Sequence, residues 1–209
     1  MEIHPDHPDL LAELDRSNLV AYFGYGSLVN KHTLRTKFLG IRRASVTGWR
    51  RFWLPRSSDG PALLSVRPDP GHVTQGVVVY DHADHLPAVD EREAGYLRRV
   101  IEADHVGIET APPGKAPLYL YEAERGAPNA AEVDAYILQS YLDAVLQGFL
   151  LLYGEAGVAR FVAETEGFET TVLQDRAAPR YPRAVSLQPD EAALFDRLVS
   201  DRKARFRPL

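Results

Sequence analysis

The feature that most limits what this chain can fold into is a change of apolar period partway along it. Up to residue 122 the apolar residues come in short strand-like runs, at 19–23, 44–54, 62–66, 75–81, 96–103 and 118–122. Gly, Pro, Ser and Asp clusters separate them, as at 57–61 and 67–71. The run 76–80 is apolar without alternation, the pattern of a central strand covered on both faces. From Asn129 onward the spacing becomes helical. Val133, Tyr136, Ile137, Ser140, Tyr141, Ala144, Val145 and Gly148 form one stripe, and Leu138, Leu142, Leu146 and Leu150 form the opposite face. Asn129 and Glu132 stand at capping-box spacing, Gly154 breaks the pattern, and a second helix over 155–166 ends at Gly167. Strands first and helices afterwards is an α+β order, with a mixed or antiparallel sheet carrying helices on one side.

The rest of the organisation follows. Residues 1–18 read as an N-terminal helical extension with a short helix at 8–16. Residues 30–37 read as another short helix, and 128–167 as a helical hairpin packed on the sheet. With no internal repeat or linker, residues 1–209 are expected to form a single domain.

Composition removes several function classes. There is no cysteine, so thiolate metal ligands, a Cys nucleophile and internal disulfides are all excluded. A formal net charge of −5 disfavours nucleic acid and anionic membrane surfaces as partners. No apolar run in the sequence approaches the roughly 20 residues that span a bilayer. The first nine residues are polar and acidic, unlike the basic start of a signal peptide, so a cytoplasmic protein is expected.

Two segments carry chemistry. In the first, an apolar run ends at Tyr22-Phe-Gly-Tyr-Gly-Ser-Leu-Val-Asn30, where Gly24 and Gly26 turn the chain. A glycine-punctuated turn at a strand end exposes backbone N–H groups that can close around a small anion. About sixty-five residues on, Asp90-Glu-Arg-Glu-Ala-Gly-Tyr96 sets three carboxylates ahead of a new strand. A carboxylate that burial lifts toward neutrality can work as base and then as acid. The residues alone do not rank Asp90, Glu91 and Glu93.

Together, and in this order, the segments resemble the γ-glutamylcyclotransferase superfamily. Tyr25-Gly26-Ser27-Leu28 is similar to its YGSL/YGSN loop, and Asp90–Tyr96 is similar to the D-x-R-E-x-(x)-G-Y segment of its ChaC-like branch. A single residue, Ala94, separates Glu93 from Gly95, where that branch usually has two. The resemblance implies a mixed, barrel-like sheet flanked by helices. It also implies an enzyme that needs no cofactor or metal, acting on a small-molecule γ-glutamyl substrate and releasing 5-oxoproline. Glu93 would be the catalytic acid/base. Tyr25, Gly26, Ser27, Leu28, Val29 and Asn30 would hold the glutamyl group. Tyr96 is a further candidate contact. The segment 174–183 resembles the tail of bacterial members, and Arg176, Arg180 or Arg183 in it could recognise a second carboxylate, such as a peptide C-terminus.

Other readings fall away on spacing. Ser27 is not set in G-x-S-x-G, and Gly24-x-Gly26 lacks the third glycine of a dinucleotide fingerprint. His82 and His85 lie close together without further ligands at motif spacing. Arg42, Arg43, Arg50, Arg51 and Arg56, interleaved with Trp49, Phe52 and Trp53, read as a strand with one wet face, one that could also border a substrate pocket. The leaving group and the oligomeric state are not legible.

Overall fold

A computed structural model describes residues 6–33, 38–57, 60–110 and 113–209. It contains one mixed sheet of nine strands and four α-helices, the α+β arrangement expected. Helix α1 (Asp9–Asp15) precedes β1 (Leu19–Gly24). The long strands β2 (Gly40–Pro55) and β3 (Ala62–His82) pair antiparallel, and β1 pairs antiparallel with the far half of β3. Helix α2 (Leu86–Arg92) leads to β4 (Leu97–Val100) and β5 (Val106–Ile108), and then to β6 (Leu118–Glu122), which runs parallel to β1. The remaining elements are β7 (Ile137–Leu138), α3 (Gln139–Glu164), β8 (Thr171–Gln174), α4 (Pro189–Ser200) and β9 (Arg205–Pro208). Strands β7, β8 and β9 extend the sheet in parallel from Ala62.

The first half follows the sequence reading closely, apart from the short strand β5, which was not read, and one change in the ladder. The runs at 62–66 and 75–81 belong to one strand, because the turn residues between them form a bulge. Thr47 pairs with Val73 and Trp49 with Pro68, so residues 69–72 leave the ladder while the chain stays in the sheet. Pro68 and Pro70 sit where the missing N–H costs no regular ladder bond. Val77, Val78 and Val79 have no exposed surface, as the unbroken apolar run required.

The second half departs more. The Asn129–Glu132 box exists: the Glu132 carboxylate accepts from Asn129 N–H at 2.6 Å, and Asn129 Oδ1 accepts from Glu132 N–H at 3.3 Å. It closes a turn rather than a helix. Asp134 takes a left-handed φ of 52°, Ile137–Leu138 joins the sheet, and α3 begins only at Gln139. Within α3 two helical segments meet at Gly154 (φ 67°, ψ −172°), the break read from the sequence, and the second segment ends at Glu164 rather than at Gly167. Strands β8 and β9 and helix α4 were not read from the sequence. At 30–37, a 3-10 turn covers Lys31–Thr33, and 34–37 lie outside the described residues. By length and composition alone α3 could cross a bilayer, which the sequence reading did not notice, but 56% of that apolar window is buried in the fold, as in a core helix.

The core lies between α3 and the sheet. Trp53, Phe149, Phe161 and Phe168 have no exposed surface, and the Trp53 ring meets Phe168 edge-on at 5.4 Å and Tyr141 at 5.9 Å. Aromatic pairs of this geometry contribute about 0.5–1.5 kcal/mol beyond area burial. The expected wet face of β2 stops at Arg50, since Arg51, Phe52, Trp53 and Leu54 are all buried.

Candidate functional site

Strand β1 ends at Gly24, and the chain then turns through Tyr25 and Gly26 into a 3-10 turn at Ser27–Val29. Within it Val29 N–H donates to Gly26 O and Asn30 N–H to Ser27 O. The N–H groups of Gly26, Ser27 and Leu28 donate to no protein acceptor among the described residues. The turn is pinned from behind by Asn30, whose Nδ2 donates to Ala144 O at 2.8 Å and to Gln147 Oε1 at 3.2 Å on α3. That contact requires Gly148: a Cβ there would lie 2.7 Å from Asn30 N. Gly148→Ala is therefore expected to push the turn off α3. It should cost about 1–3 kcal/mol, read as a lower melting temperature.

Glu93 follows the last turn of α2. Its N–H donates to Val89 O, and Tyr96 N–H returns to Glu93 O. Gly95 between them takes φ 89°, a conformation a side chain would resist, and so folds Glu93 and Tyr96 toward the same space. Three carboxylates that looked alike in sequence now differ. Asp90 is engaged, accepting from Arg98 at 2.6 Å and from the Tyr121 hydroxyl at 2.7 Å. Glu91 is exposed. Glu93 faces a cavity, with its side chain 20% exposed.

That cavity has a volume of about 140 Å³. It brings together Tyr25, Gly26, Ser27, Leu28, Glu93, Tyr96 and Arg183. Val29 and Asn30 are not in its wall, because both are buried against the core. Arg176 is not there either: it forms ion pairs with Asp143 and Asp196. Arg180 is exposed and contributes only its N–H, to Asp175. The sequence reading missed Leu64, Tyr121, Tyr141 and Tyr181 in the wall; Arg92, the neighbour of Glu93, also lines it, as does Arg56 on the stretch read as a possible pocket border. A larger, mostly apolar cavity of about 640 Å³ lies over β1, β3 and β5, but among the described residues it has no carboxylate in its wall.

The electrostatics of the smaller cavity are mixed. Burial pushes the Glu93 carboxyl above the usual carboxylate range, and the guanidinium groups of Arg92, Arg183 and Arg56 pull it back. Arg92 Nε stands 3.4 Å from Glu93. Burial also raises the Tyr96 phenol to about 12, so it is neutral and donates to Leu64 O at 3.1 Å. Tyr25 donates to Tyr121 O at 2.6 Å. The Tyr181 hydroxyl is buried with no hydrogen-bond partner among the described residues. Arg56 lies over the Tyr96 ring at 4.6 Å and donates to Ala94 O. No group of three or more His, Cys, Asp or Glu among the described residues could hold a metal ion. His85, one of the two histidines weighed as ligands, pairs with Asp81 at 2.7 Å.

A family described as "Gamma-glutamyl cyclotransferase, AIG2-like" matches residues 22–139, more than half of the chain. Both segments singled out in the sequence fall inside the match. The superfamily is the one they resemble, and the matched branch is the AIG2-like one. No curated protein sequence is similar enough to count as a match. Among solved structures, an uncharacterized protein from Homo sapiens superposes with a TM-score of 0.51 at 14% identity, over 86% of this chain and 99% of that one. A gamma-glutamyl cyclotransferase gives 0.49 at 16% identity, over 86% and 99%. A gamma glutamyl cyclotransferase specific to glutathione from yeast gives 0.44 at 16%, over 90% and 97%. At these identities the likeness concerns the fold alone, and it rests on the human protein.

Proposed function

The chain belongs to the AIG2-like gamma-glutamyl cyclotransferase family, and from that premise we propose that it converts a γ-glutamyl compound into 5-oxoproline and a released amine. One observation carries the reading: a mostly buried carboxylate, Glu93, shares a cavity with the unpartnered N–H groups of the Gly26–Leu28 turn. The turn holds the substrate α-carboxylate, with Ser27 Oγ beside it; charge-assisted bonds of this kind contribute about 1.5–3 kcal/mol each. The α-amine then lies near the γ-carbonyl and attacks it, closing a five-membered ring without a covalent enzyme intermediate. Glu93 takes the proton that the amine loses and gives it to the leaving nitrogen as the γ-amide bond breaks. The Tyr181 hydroxyl supplies a donor for a substrate oxygen in the same space.

Arg56, Arg92 and Arg183 outnumber Glu93 in the wall, which favours a leaving group that carries a carboxylate, as an amino acid or peptide does, over a polyamine. Arg183, beside the Tyr181 ring, comes from the tail segment and forms no ion pair among the described residues. Arg183→Gln is expected to raise KM about tenfold for γ-glutamyl dipeptides. It should leave γ-glutamyl amines without a carboxylate nearly unchanged. Equal effects on both substrates would remove Arg183 from leaving-group recognition.

The reading is tested by incubating the protein with glutathione, γ-glutamyl dipeptides and γ-glutamyl amines, and assaying 5-oxoproline by mass spectrometry. Formation of 5-oxoproline is the expected result. Binding of these compounds without product would overturn catalysis and leave a γ-glutamyl binding module.

A further inference from the structure

Arg51 is the anomaly of the core. It is 1% exposed, on β2 opposite Val66, and forms no salt bridge among the described residues. Its guanidinium lies over the rings of Phe161 at 4.4 Å and Phe149 at 4.9 Å, on the two sides of the Gly154 kink in α3. Nε has no hydrogen-bond partner among the described residues. Burial lowers its pKa to about 9, so it stays cationic at neutral pH. Glu164 favours the charge and Arg160 opposes it, neither in ion-pair contact; a buried charge without a direct ion-pair partner is costly, and an apolar residue of similar length would fill the same space more cheaply. Such exceptions cluster at functional sites.

The two bonds that Arg51 does make show where the charge is directed. Nη1 donates to Gln75 O at 2.8 Å on β3 and to Tyr25 O at 3.0 Å. The second acceptor is the carbonyl of the Tyr25–Gly26 peptide, whose other half is the Gly26 N–H in the cavity wall. That peptide is trans, so a carbonyl held toward Arg51 directs its N–H the opposite way. A glycine on one side lets the peptide rotate freely, and rotation would turn an oxygen toward the anion. A cation on the carbonyl blocks that rotation. It also draws electron density toward the oxygen, which strengthens the N–H as a donor.

We infer that Arg51 is a positioning residue for the substrate-binding turn: a buried guanidinium that locks the Tyr25–Gly26 peptide and polarises its N–H for a carboxylate. The inference rests on the proposal that this turn binds the α-carboxylate. It accounts for a charge in the core that packing does not explain.

Calorimetric titration with 5-oxoproline, beside steady-state kinetics, tests it on wild type, Arg51→Met and Arg51→Lys. Arg51→Met should weaken 5-oxoproline binding and raise KM by about tenfold to a hundredfold. The pH at which activity is lost on acidification, set by Glu93, should not move. Arg51→Lys, which keeps the charge, should fall between. A purely structural role would lower the melting temperature and leave the affinity of the folded protein intact, and that outcome overturns the inference. Glycine-selective 15N labelling gives a readout on wild type that does not depend on a variant folding. The Gly26 amide should show the largest glycine shift on saturation with 5-oxoproline, and an unmoved Gly26 resonance overturns the inference as well. Failure of the enzymatic reading is seen separately, as a wild type that forms no 5-oxoproline from any γ-glutamyl compound, while 5-oxoproline binding and the Gly26 resonance still decide the role of Arg51.

Discussion

Glu93→Gln is expected to lower turnover by about a hundredfold to ten-thousandfold, the usual contribution of a positioned general acid/base. The fold should survive, since the amide keeps the size of the side chain and the backbone bonds to Val89 and Tyr96 do not involve it. The wild-type pH profile should show the same group. Glu93 must be ionised to accept the first proton, and burial holds its pKa above the usual carboxylate range despite Arg92, Arg183 and Arg56. Activity should therefore fall on acidification at a pH above that range, and Glu93→Gln should lose this limb. Stability moves the other way. A carboxyl whose folded pKa is raised favours the fold in its protonated form, and that advantage is lost as pH rises from the unfolded value of 4.5 through the folded one. At low pH the variant and the wild type should melt together, and at neutral pH the variant should melt higher. Near-normal turnover in a folded Glu93→Gln protein would take the acid/base role from this residue.

The sequence could pick out the turn and the carboxylate because each is a local signal. Gly24 and Gly26 mark a turn wherever the chain goes next, and the spacing of Asp90, Glu91 and Glu93 to Gly95 belongs to one short segment. Choosing among those carboxylates needed partners far along the chain: Tyr121 for Asp90, and the cavity walls from β3, α3 and the tail for Glu93. The resemblance selected Glu93; the residues did not. The tail shows the limit most clearly. Arg176, Arg180 and Arg183 share one composition, yet only Arg183 reaches the cavity, because Asp143 on α3 and Asp196 on α4 engage Arg176. Helix α4 was not foreseen, so neither was that carboxylate. The capping box at Asn129 failed for a related reason. Its hydrogen bonds form as written, but the next residues are drawn into the sheet between β3 and β8, and pairing there outweighs local helix preference. Arg51 shows the same competition on β2, where alternation implied a wet face and α3 covered it.

Asp175→Ala is expected to have the largest effect on stability, and to reach the site through it. Asp175 is fully buried between β8 and the tail. Its carboxylate accepts from Ser140 N–H at 2.8 Å, Ser140 Oγ at 2.6 Å and Arg180 N–H at 2.9 Å. Ser140 lies in the first turn of α3, so Asp175 caps that helix from another part of the chain and sits at the positive end of its dipole. Ser140 Oγ in turn accepts from Tyr181 N–H at 3.2 Å. One carboxylate thus fixes both the start of the helix that carries Tyr141 and the tail that carries Tyr181 and Arg183, three residues of the cavity wall. Alanine removes all three bonds and leaves buried donors unpaired, a loss of about 3–4 kcal/mol. For a chain of this size that is a fall of roughly 10 °C in melting temperature. Ser140→Ala, which keeps the Asp175 bonds to the two backbone N–H groups, should lose only about 1 kcal/mol. The coupling to function is read at a temperature where both variants remain folded. There Asp175→Ala should raise KM for a γ-glutamyl dipeptide well beyond Ser140→Ala, because Ser140→Ala loses the bond to Tyr181 N–H but keeps the Asp175 bond that holds Arg180 N–H. If Asp175→Ala melts within a degree or two of wild type, this network does not anchor the tail. If it melts low but keeps the wild-type KM, the tail does not shape the pocket.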